Sequence, residues 1–219
     1  MPASQPLALS ILHADDSLLV IDKPSGLLAV PGRGAALQDC VSSRVRAEYA
    51  DALVVHRLDM ATSGLMLLAR GPAAQRALSI AFARREIDKR YVALVAGLVP
   101  LPPGDGWAEI DLPLAADWPQ RPRQKVDPVS GKPSLTRYRV LAQDAQHGCT
   151  RVELQPMTGR THQLRVHLLA LGQPILGDAL YAPPEVQARS PRLLLHASAL
   201  SLAHPAGGER LHFHSAPPF

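Results

Sequence analysis

Short apolar stretches separated by turn residues occupy the first half of the chain. LSILHADDSLLVIDKP (residues 9–24) predicts two strands around an Asp-Asp-Ser turn, and residues 53–56 and 65–69 have the same strand-like composition. Apolar residues recur at helical spacing over residues 37–49, and AAQRALSIAFARR predicts a second helix after Pro72, a residue that suits the first helical turn. The first half of the chain therefore combines strands with two helices.

The second half of the chain contains more strand-like segments and one clear helix. The strand-like segments are KRYVALVAGLV, LTRYRVLA, TRVELQP, RLLLHA, LSLAH and RLHFH. In HQLRVHLLAL a stripe of Leu164, Leu168 and Leu171 is expected to face the core, Thr161 is placed to cap the helix, and Gly172 ends it. Residues 113–133 predict a long irregular loop, and a loop of that length in a compact domain is more commonly functional than not.

This arrangement predicts an α+β fold with a mostly antiparallel central sheet flanked by helices and loops. Residues 1–8 are expected to form a tail and residues 9–219 a single domain. A chain of 219 residues with 47% hydrophobic side chains can bury a core without disulfides or metals. No repeat or low-complexity segment divides it.

The charge of the chain gives a weak preference for anionic partners, with a formal net charge of +4. The placement of the charge is more informative. AFARREIDKRY contains Arg84 and Arg85, and the proline-rich DWPQRPRQKV contains Arg121, Arg123 and Lys125 with almost no acid. A run of charge is usually a solvated surface, but a basic loop is also what a nucleic-acid phosphate backbone selects.

The spacing of the cysteines, histidines and apolar residues also limits the possible compartment and cofactors of the protein. Cys40 and Cys149 are isolated, which indicates reduced, buried side chains in a cytoplasmic protein. No segment approaches the ~18 apolar residues of a membrane span. Nine histidines include His162 and His167, but none has a cysteine or carboxylate at metal-ligand spacing, and no glycine-rich nucleotide motif is present. We therefore expect no membrane-spanning segment, no bound metal ion and no nucleotide cofactor.

The segment VVHRLDMATSGL (residues 54–65) places charge between two strand-like stretches. The ordinary explanation is a surface turn with an ion pair. If the segment is extended, Arg57 and Asp59 project to one side, whereas His56 and Leu58 project to the other. A carboxylate that a guanidinium keeps ionised, from Arg57 or from another part of the chain, can act as a nucleophile where water is excluded.

HRLDMATSGLMLLA (residues 56–69) resembles the signature around the catalytic aspartate of the RluA-type pseudouridine synthases. Three further blocks agree in order, namely DKPSGLL (22–28), KRYVALV (89–95) and TGRTHQLRVHLLALGQPILGD (158–178), and RLLLHA also resembles the late motif of the family. The resemblance extends from about residue 9 to the C-terminus. Four ordered blocks are far more specific than a single HRLD tetrapeptide.

By this resemblance, Asp59 is the nucleophile, Tyr91 stacks on the target base, and Arg165 pairs with Asp59. The resemblance also places Arg57 in the RNA stack where the flipped nucleotide was, since a base must leave the stack before its glycosidic bond can be reached. The other expected RNA contacts are Arg84, Arg85, Arg121, Arg123, Lys125, Arg160 and His162. The uracil is detached and rejoined through C5, which implies no cofactor and no metal. Whether Asp59 attacks the ribose, attacks the base or assists deprotonation at C2′ stays open.

The subfamily that the chain most resembles is the RluA subfamily, on the basis of PGRG after the first motif and of DWPQRPRQKV. Many family members carry an S4-like RNA-binding domain at the N-terminus, whereas only about eight residues precede the first strand here. The subfamily implies a target at uridine-746 of 23S rRNA, at uridine-32 of the tRNA anticodon arm, or at both. RNA is the expected partner. We expect a monomer with no obligate protein partner, since the sequence contains neither a heptad pattern nor a clear apolar stripe left over from the core. Two other classes stay open: a non-catalytic RNA-binding or assembly factor, and an aspartate-dependent hydrolase, for which no second carboxylate is found at a credible site.

Overall fold

A computed structural model describes residues 9–102 and 106–219 of the chain. The expected tail at residues 1–8 lies outside these described residues. The strand pairs set out below are antiparallel and are accompanied by a few helices, which confirms the predicted α+β class. None of the helices in the described part of the chain is long and apolar enough to cross a membrane.

The chain divides into two compact units. The first unit runs as far as Asp88 and also contains residues 197–217, whereas the second contains Lys89–His196 and the last two residues. Each unit is described by itself below. A single domain over residues 9–219 stays a prediction.

The first unit is built around strand β4 (Ser63–Arg70), in which every residue up to Ala69 is buried. A continuous apolar run of this kind forms a strand that is covered on both faces. The other elements of this unit are β1 (Ser10–Ala14), β2 (Leu18–Lys23), α1 (Val41–Glu48), β3 (Ala52–Val54), α2 (Gly71–Ala83), most of β11 (Leu195–Ala203) and β12 (Arg210–His214). β2 and β3 pair with β4, β1 pairs with β2, and β12 pairs with β11, all antiparallel.

Gly64 allows β4 to lie directly against β11, its neighbour in the sheet. Its φ angle of +107° is one that residues with a side chain rarely adopt. A Cβ atom at this position would also run into the backbone carbonyl of Ala197. The glycine of the Thr-Ser-Gly sequence is therefore required by strand packing and not only by a turn.

The second unit contains a four-stranded antiparallel sheet in the order β5-β10-β9-β6. The elements of this unit are β5 (Asp88–Ala96), β6 (Ala108–Asp111), β7 (Leu114–Ala116), β8 (Gln124–Val126), β9 (Leu135–Asp144), β10 (Cys149–Pro156), α3 (Gln163–Ala170) and α4 (Pro184–Gln187). The strands predicted around KRYVALV, LTRYRVLA and TRVELQP are β5, β9 and β10. Helix α3 corresponds to the predicted HQLRVHLLAL helix, but the leucine stripe predicted to face the core is only partly right. Residues 163–168 are all buried, whereas Leu171 is 40% exposed.

The register of this sheet determines which side chains share a face. Tyr91 of β5 pairs with Leu154, which also pairs with Tyr138 of β9, and directly paired residues point to the same side of a sheet. Thr136 lies two residues before Tyr138 and shares that side, where its hydroxyl is 2.9 Å from Nδ1 of His167 in α3. We call this side the α3 face. Tyr91 therefore lies on the face that carries α3.

Three local predictions were wrong. Residues 113–133 are not an irregular loop, because β7 and β8 pair there as a small antiparallel hairpin that encloses a 3-10 helix. RLLLHA and LSLAH are not separate strands, because one continuous strand, β11, covers the last three residues of RLLLHA and the first four of LSLAH. Thr161 does not cap α3; His162 occupies the N-cap position in a left-handed conformation, without a side-chain cap.

Candidate active site

The HRLD segment joins β3 to β4 as a loop in the first unit. Leu58 is buried, with 7% exposure, whereas Arg57 is exposed and Asp59 is half-buried. The leucine anchors the loop in the core, and its two charged neighbours lie closer to the surface. The segment is a loop and not a regular strand, so the projection of Arg57 and Asp59 to the same side stays a prediction.

The buried residue Lys23 anchors this loop through hydrogen bonds to the backbone. The Lys23 side chain is fully buried, and its ammonium donates hydrogen bonds to the carbonyl oxygens of Leu27 at 2.8 Å, Pro24 at 2.9 Å and Met60 at 3.0 Å. The same segment donates two further hydrogen bonds, from Ser25 Oγ to the Ala61 carbonyl at 2.7 Å and from the Gly26 N–H to the Met60 carbonyl at 2.9 Å. The DKPSG motif is thus a clamp on the residues that follow Asp59. The sequence alone predicts no role for Lys23.

Two more hydrogen bonds fix the loop on either side of the aspartate. The Thr62 N–H donates to the Asp59 carbonyl at 3.1 Å, which closes a turn. The Leu67 N–H donates to Nε2 of His56 at 2.9 Å, so this ring nitrogen acts as an acceptor and the imidazole ties the start of the loop to β4. The backbone around Asp59 is consequently held at both ends, as a pre-organised reactive side chain requires.

Lys23→Met should weaken the clamp and destabilise the protein. Methionine fills a similar volume but donates no hydrogen bond, so buried carbonyl oxygens lose their donor, at a cost of about 1–3 kcal/mol per unsatisfied group. We expect a lower midpoint of urea unfolding and reduced turnover, because the Asp59 loop loses an anchor. The matched control is Arg76→Met, which removes an exposed cation from α2. Equal unfolding midpoints for the two variants would contradict this role of Lys23.

The second unit contributes Tyr91 and a buried ion pair. Tyr91 is half-buried on the α3 face. Arg165, 4% exposed, donates from Nε to Asp178 Oδ2 at 2.8 Å and from Nη2 to Oδ1 at 2.6 Å. Asp178 is 1% exposed and also accepts the backbone N–H groups of Leu180 and Tyr181. This bidentate pair fixes the guanidinium in one orientation. Asp178 was missed from the sequence, although it ends the fourth motif block, and the predicted pairing of Arg165 with Asp59 stays a prediction.

Tyr181 connects this ion pair to the β7–β8 hairpin. Its hydroxyl accepts the Gln124 N–H of β8 at 2.8 Å and lies 2.6 Å from Nδ1 of His162, the residue that precedes α3. Its ring lies 4.9 Å from the guanidinium of Arg165 and 5.4 Å from that of Arg123. The hydroxyl therefore joins the hairpin to the N-terminus of the helix that carries Arg165. His162 has a φ angle of +54°, which the contact with Tyr181 helps to hold.

Tyr181→Phe should separate the effects of the hydroxyl from those of the ring. The phenylalanine keeps the ring beside both arginines but leaves the Gln124 N–H and the His162 imidazole without this partner. We expect a loss of about 1 kcal/mol in the free energy of unfolding and a severalfold higher KM for RNA, with a smaller change in kcat. Tyr49→Phe, in the first unit and stacked with Arg70, is the control. An unchanged KM would show that the hydroxyl does not position the hairpin.

The hairpin borders an open cavity of about 640 Å³ in the second unit. Lys125, Lys132 and Arg160 line it, with Asp127 as the acidic member, and the side chain of Trp118 also reaches it. Trp118 is 67% exposed and carries the guanidinium of Arg121 at 3.3 Å from its ring centroid. Two of the predicted RNA contacts, Lys125 and Arg160, therefore line the same cavity. Trp118 and Lys132 were missed, and an exposed tryptophan in a basic proline-rich segment was the available signal.

The histidines considered as metal ligands have other partners. His167 is fully buried, with Nδ1 beside the Thr136 hydroxyl and Nε2 beside the Leu112 carbonyl at 3.0 Å. Burial lowers the pKa of His167, which favours the neutral imidazole in the core. Within residues 9–102 and 106–219, no group of three or more His, Cys, Asp or Glu side chains is placed to hold a metal ion.

The predicted site residues are divided between the two units. Arg57, Asp59, Arg84 and Arg85 belong to the first unit, whereas Tyr91, Arg121, Arg123, Lys125, Arg160, His162 and Arg165 belong to the second. The first unit provides a clamped loop with a half-buried carboxylate. The second provides a fixed guanidinium, an aromatic side chain on the same sheet face as α3, and a basic cavity. The roles predicted for these residues stay predictions.

Comparison with known proteins gives one consistent family. A family profile described as RNA pseudouridylate synthase matches residues 17–170. The dual-specificity RNA pseudouridine synthase RluA of Escherichia coli strain K12 is 51% identical over 205 residues, which cover 94% of this chain and 91% of that protein. The protein of the same name from Pasteurella multocida strain Pm70 is 52% identical over 210 residues, covering 96% of this chain and 93% of its own.

Solved structures agree with this result. Human RNA Pseudouridylate Synthase Domain Containing 1 aligns with a TM-score of 0.79 at 28% identity, covering 100% of this chain and 87% of that one. Human RNA Pseudouridylate Synthase Domain Containing 4 aligns with a TM-score of 0.76 at 28% identity, covering 95% of this chain and 88% of that one.

Proposed function

Because the chain belongs to the RNA pseudouridylate synthase family and is an isomerase of that class, we propose that it modifies one uridine in a hairpin loop of large-subunit rRNA and one in the anticodon arm of tRNA. The observation that supports this choice of target is the similarity to the dual-specificity relatives. They are about half identical to this chain over more than nine-tenths of both lengths. By the subfamily resemblance, the uridines are those numbered 746 in 23S rRNA and 32 in tRNA. We also propose that the enzyme acts as a cytoplasmic monomer.

The reaction is a rearrangement within one nucleotide. The bond between N1 and C1′ breaks, the uracil turns, and a bond forms between C5 and C1′. The C5 proton leaves and N1 takes up a proton, so that the product is an isomer of the substrate and no oxidant or reductant is consumed. The protein therefore has to extrude the nucleotide, hold the base while it is detached, and manage the charge at the ribose and the base.

We assign the nucleophilic role to Asp59. The hydrogen bonds from Lys23, Gly26 and Thr62 to the loop backbone support this assignment, since they fix the aspartate without using its carboxylate. Arg57, exposed and two residues away, is assigned to the space that the extruded nucleotide vacates. The clamp thus orients both side chains through one short loop.

Tyr91 and Arg165 complete the proposed catalytic set. A tyrosine face gives about 1–3 kcal/mol of stacking to an extruded base. Arg165 provides a permanent positive charge, and its bidentate bond to Asp178 makes its orientation independent of the substrate. We propose that this charge keeps Asp59 ionised during the reaction.

RNA binding is assigned to the β7–β8 hairpin and its cavity. Lys125, Lys132 and Arg160 outnumber the one acidic lining residue, Asp127, and suit phosphate groups. Trp118 offers an exposed ring to an unpaired base beside the target. Hairpin loops of RNA present such unstacked bases, which agrees with the proposed targets.

Pseudouridine mapping tests this function. Total RNA from cells with and without the gene is treated with a carbodiimide, and stops of reverse transcription locate each pseudouridine. Loss of one rRNA stop and one tRNA stop, both restored by the wild-type gene, would support dual specificity. Loss of a single stop would instead indicate an enzyme that acts only on rRNA or only on tRNA. Identical stop patterns in both strains would contradict the proposal and favour a non-catalytic RNA-binding factor.

A further inference from the structure

Three arginines converge on one tryptophan in the second unit. The guanidinium carbons of Arg90 and Arg139 lie 4.9 Å from the ring centroid of Trp107, and that of Arg137 lies 5.1 Å from it. We call these four residues the Trp107 cluster. They come from β5, β9 and the residue before β6, so the sheet and not one basic segment brings them together.

The cluster lies on the face of the sheet opposite the α3 face. Arg137 and Arg139 flank Tyr138 on β9, and side chains alternate along a strand. Since Tyr138 shares the α3 face with Tyr91, the two arginines point to the other side. The cluster is therefore separate from Tyr91, from α3 and from the functions assigned to them.

Two acidic residues lie beside the arginines of the Trp107 cluster. Glu153 accepts a hydrogen bond from Nε of Arg139 at 2.6 Å, and Glu109 lies 3.7 Å from Nε of Arg137. The side chains of Arg139 and Arg137 are 44% and 34% exposed, so both can meet a ligand from solution.

The chemistry of the cluster suits phosphate. A guanidinium that stacks on an indole keeps its N–H edge available, and this planar edge matches two phosphate oxygens. Stacking also limits the rotamers of each arginine, which lowers the entropy lost on binding. Like charges gathered on one ring repel each other, and an anionic partner relieves that repulsion.

We propose that the Trp107 cluster is a second RNA-binding surface, which contacts the phosphate backbone of the substrate RNA outside the stem-loop that contains the target uridine. This proposal rests on the proposed function for the identity of the RNA. It predicts that the surface contributes to the binding of long substrates and contributes nothing to a minimal hairpin. The overall basic charge of the chain, +4, agrees with a polyanionic ligand.

The test compares two RNA probes and the double variant Arg137→Gln/Arg139→Gln. One probe is an isolated anticodon stem-loop transcript, and the other is the complete tRNA transcript that contains it. Dissociation constants are measured over a series of salt concentrations. For the complete tRNA, we expect the variant to bind about tenfold more weakly at low salt, with a slope of log K against log salt lower by about 1 to 2. For the stem-loop, affinity and slope should stay at the wild-type values.

Three controls isolate the phosphate contact. Arg76→Gln/Arg189→Gln removes two exposed charges elsewhere and should leave both probes unaffected. Arg137→Lys/Arg139→Lys keeps the charges and should restore most of the salt slope, and Trp107→Phe should keep it as well. If the glutamine variant unfolds, the lysine variant still tests the surface. Lysine cannot make the bidentate contact, so this variant should bind the complete tRNA more weakly but bind the stem-loop like the wild type.

The outcomes also separate this proposal from the proposed function. Equal affinities of wild type and glutamine variant for the complete tRNA would overturn it, and so would an equal loss for both probes, which would place the cluster at the stem-loop. Isomerisation of the stem-loop by the glutamine variant should match the wild type. If the wild-type enzyme isomerises neither probe, the tRNA target fails, while the binding comparison still decides the role of the cluster.

Discussion

Asp59→Asn is expected to abolish isomerisation while RNA binding is largely retained. Asparagine has nearly the same shape, so the hydrogen bonds that Lys23 and Thr62 make to the loop backbone can persist. An amide is not a competent nucleophile at carbon, and loss of a nucleophile commonly lowers turnover by about four orders of magnitude or more. Single-turnover release of tritium from C5-labelled uridine in a hairpin transcript measures the rate, and filter binding measures the affinity.

The matched control for this substitution is Asp51→Asn. Asp51 is an exposed aspartate of the same unit, 3.2 Å from the Arg70 guanidinium, and its loss should change the rate by less than about twofold. Retained tritium release by Asp59→Asn would exclude the nucleophilic role. Loss of release together with loss of RNA binding would instead indicate that the loop itself had been disrupted.

Arg165→Met should have the largest effect on stability. It leaves the Asp178 carboxylate, 1% exposed, without its counter-charge. Breaking a buried ion pair from one side typically costs about 3–5 kcal/mol, because the remaining charge is desolvated and uncompensated. We expect a correspondingly lower midpoint of urea unfolding, and no measurable isomerisation.

A second substitution separates the structural role of Arg165 from its chemical one. Arg165→Met/Asp178→Asn removes both charges, so it should recover much of the stability that Arg165→Met loses. If the recovered protein stays inactive, the guanidinium has a task in the reaction, as proposed for its action on Asp59. If its activity returns with its stability, Arg165 serves only to hold the fold. Arg165→Lys should rank between wild type and methionine in stability, since it keeps the charge without the bidentate geometry.

The sequence predicted those features that depend on local pattern. The strand β4 and the presence of helix α3 follow from the patterns of strands and helices, whereas the leucine stripe predicted for α3 does not match the burial of that helix. The β7–β8 hairpin was missed because its strands have three residues each and lie among prolines, which leaves too little alternation to recognise.

The partners of the site residues could not be predicted, because they are set by tertiary structure. Lys23 reaches Met60, 37 residues away, and the Gln124 N–H reaches Tyr181 across 57 residues. Nothing in the residues beside Lys23 distinguishes a buried lysine from a solvated one. The resemblance to a known family identified the Arg165 block but not the bond to Asp178, although both residues lie within that block.

The burial of Lys23 also provides a way to follow the dynamics of the Asp59 loop. The chain has only four lysines, at positions 23, 89, 125 and 132. An amine-acylating reagent can reach the Lys23 ammonium only when its three carbonyl partners separate from it, since the side chain has no exposed surface in the closed form. The rate at which mass spectrometry detects acylated Lys23 therefore reports how often this loop opens. Substrate RNA should slow that labelling if the loop must stay closed during the reaction.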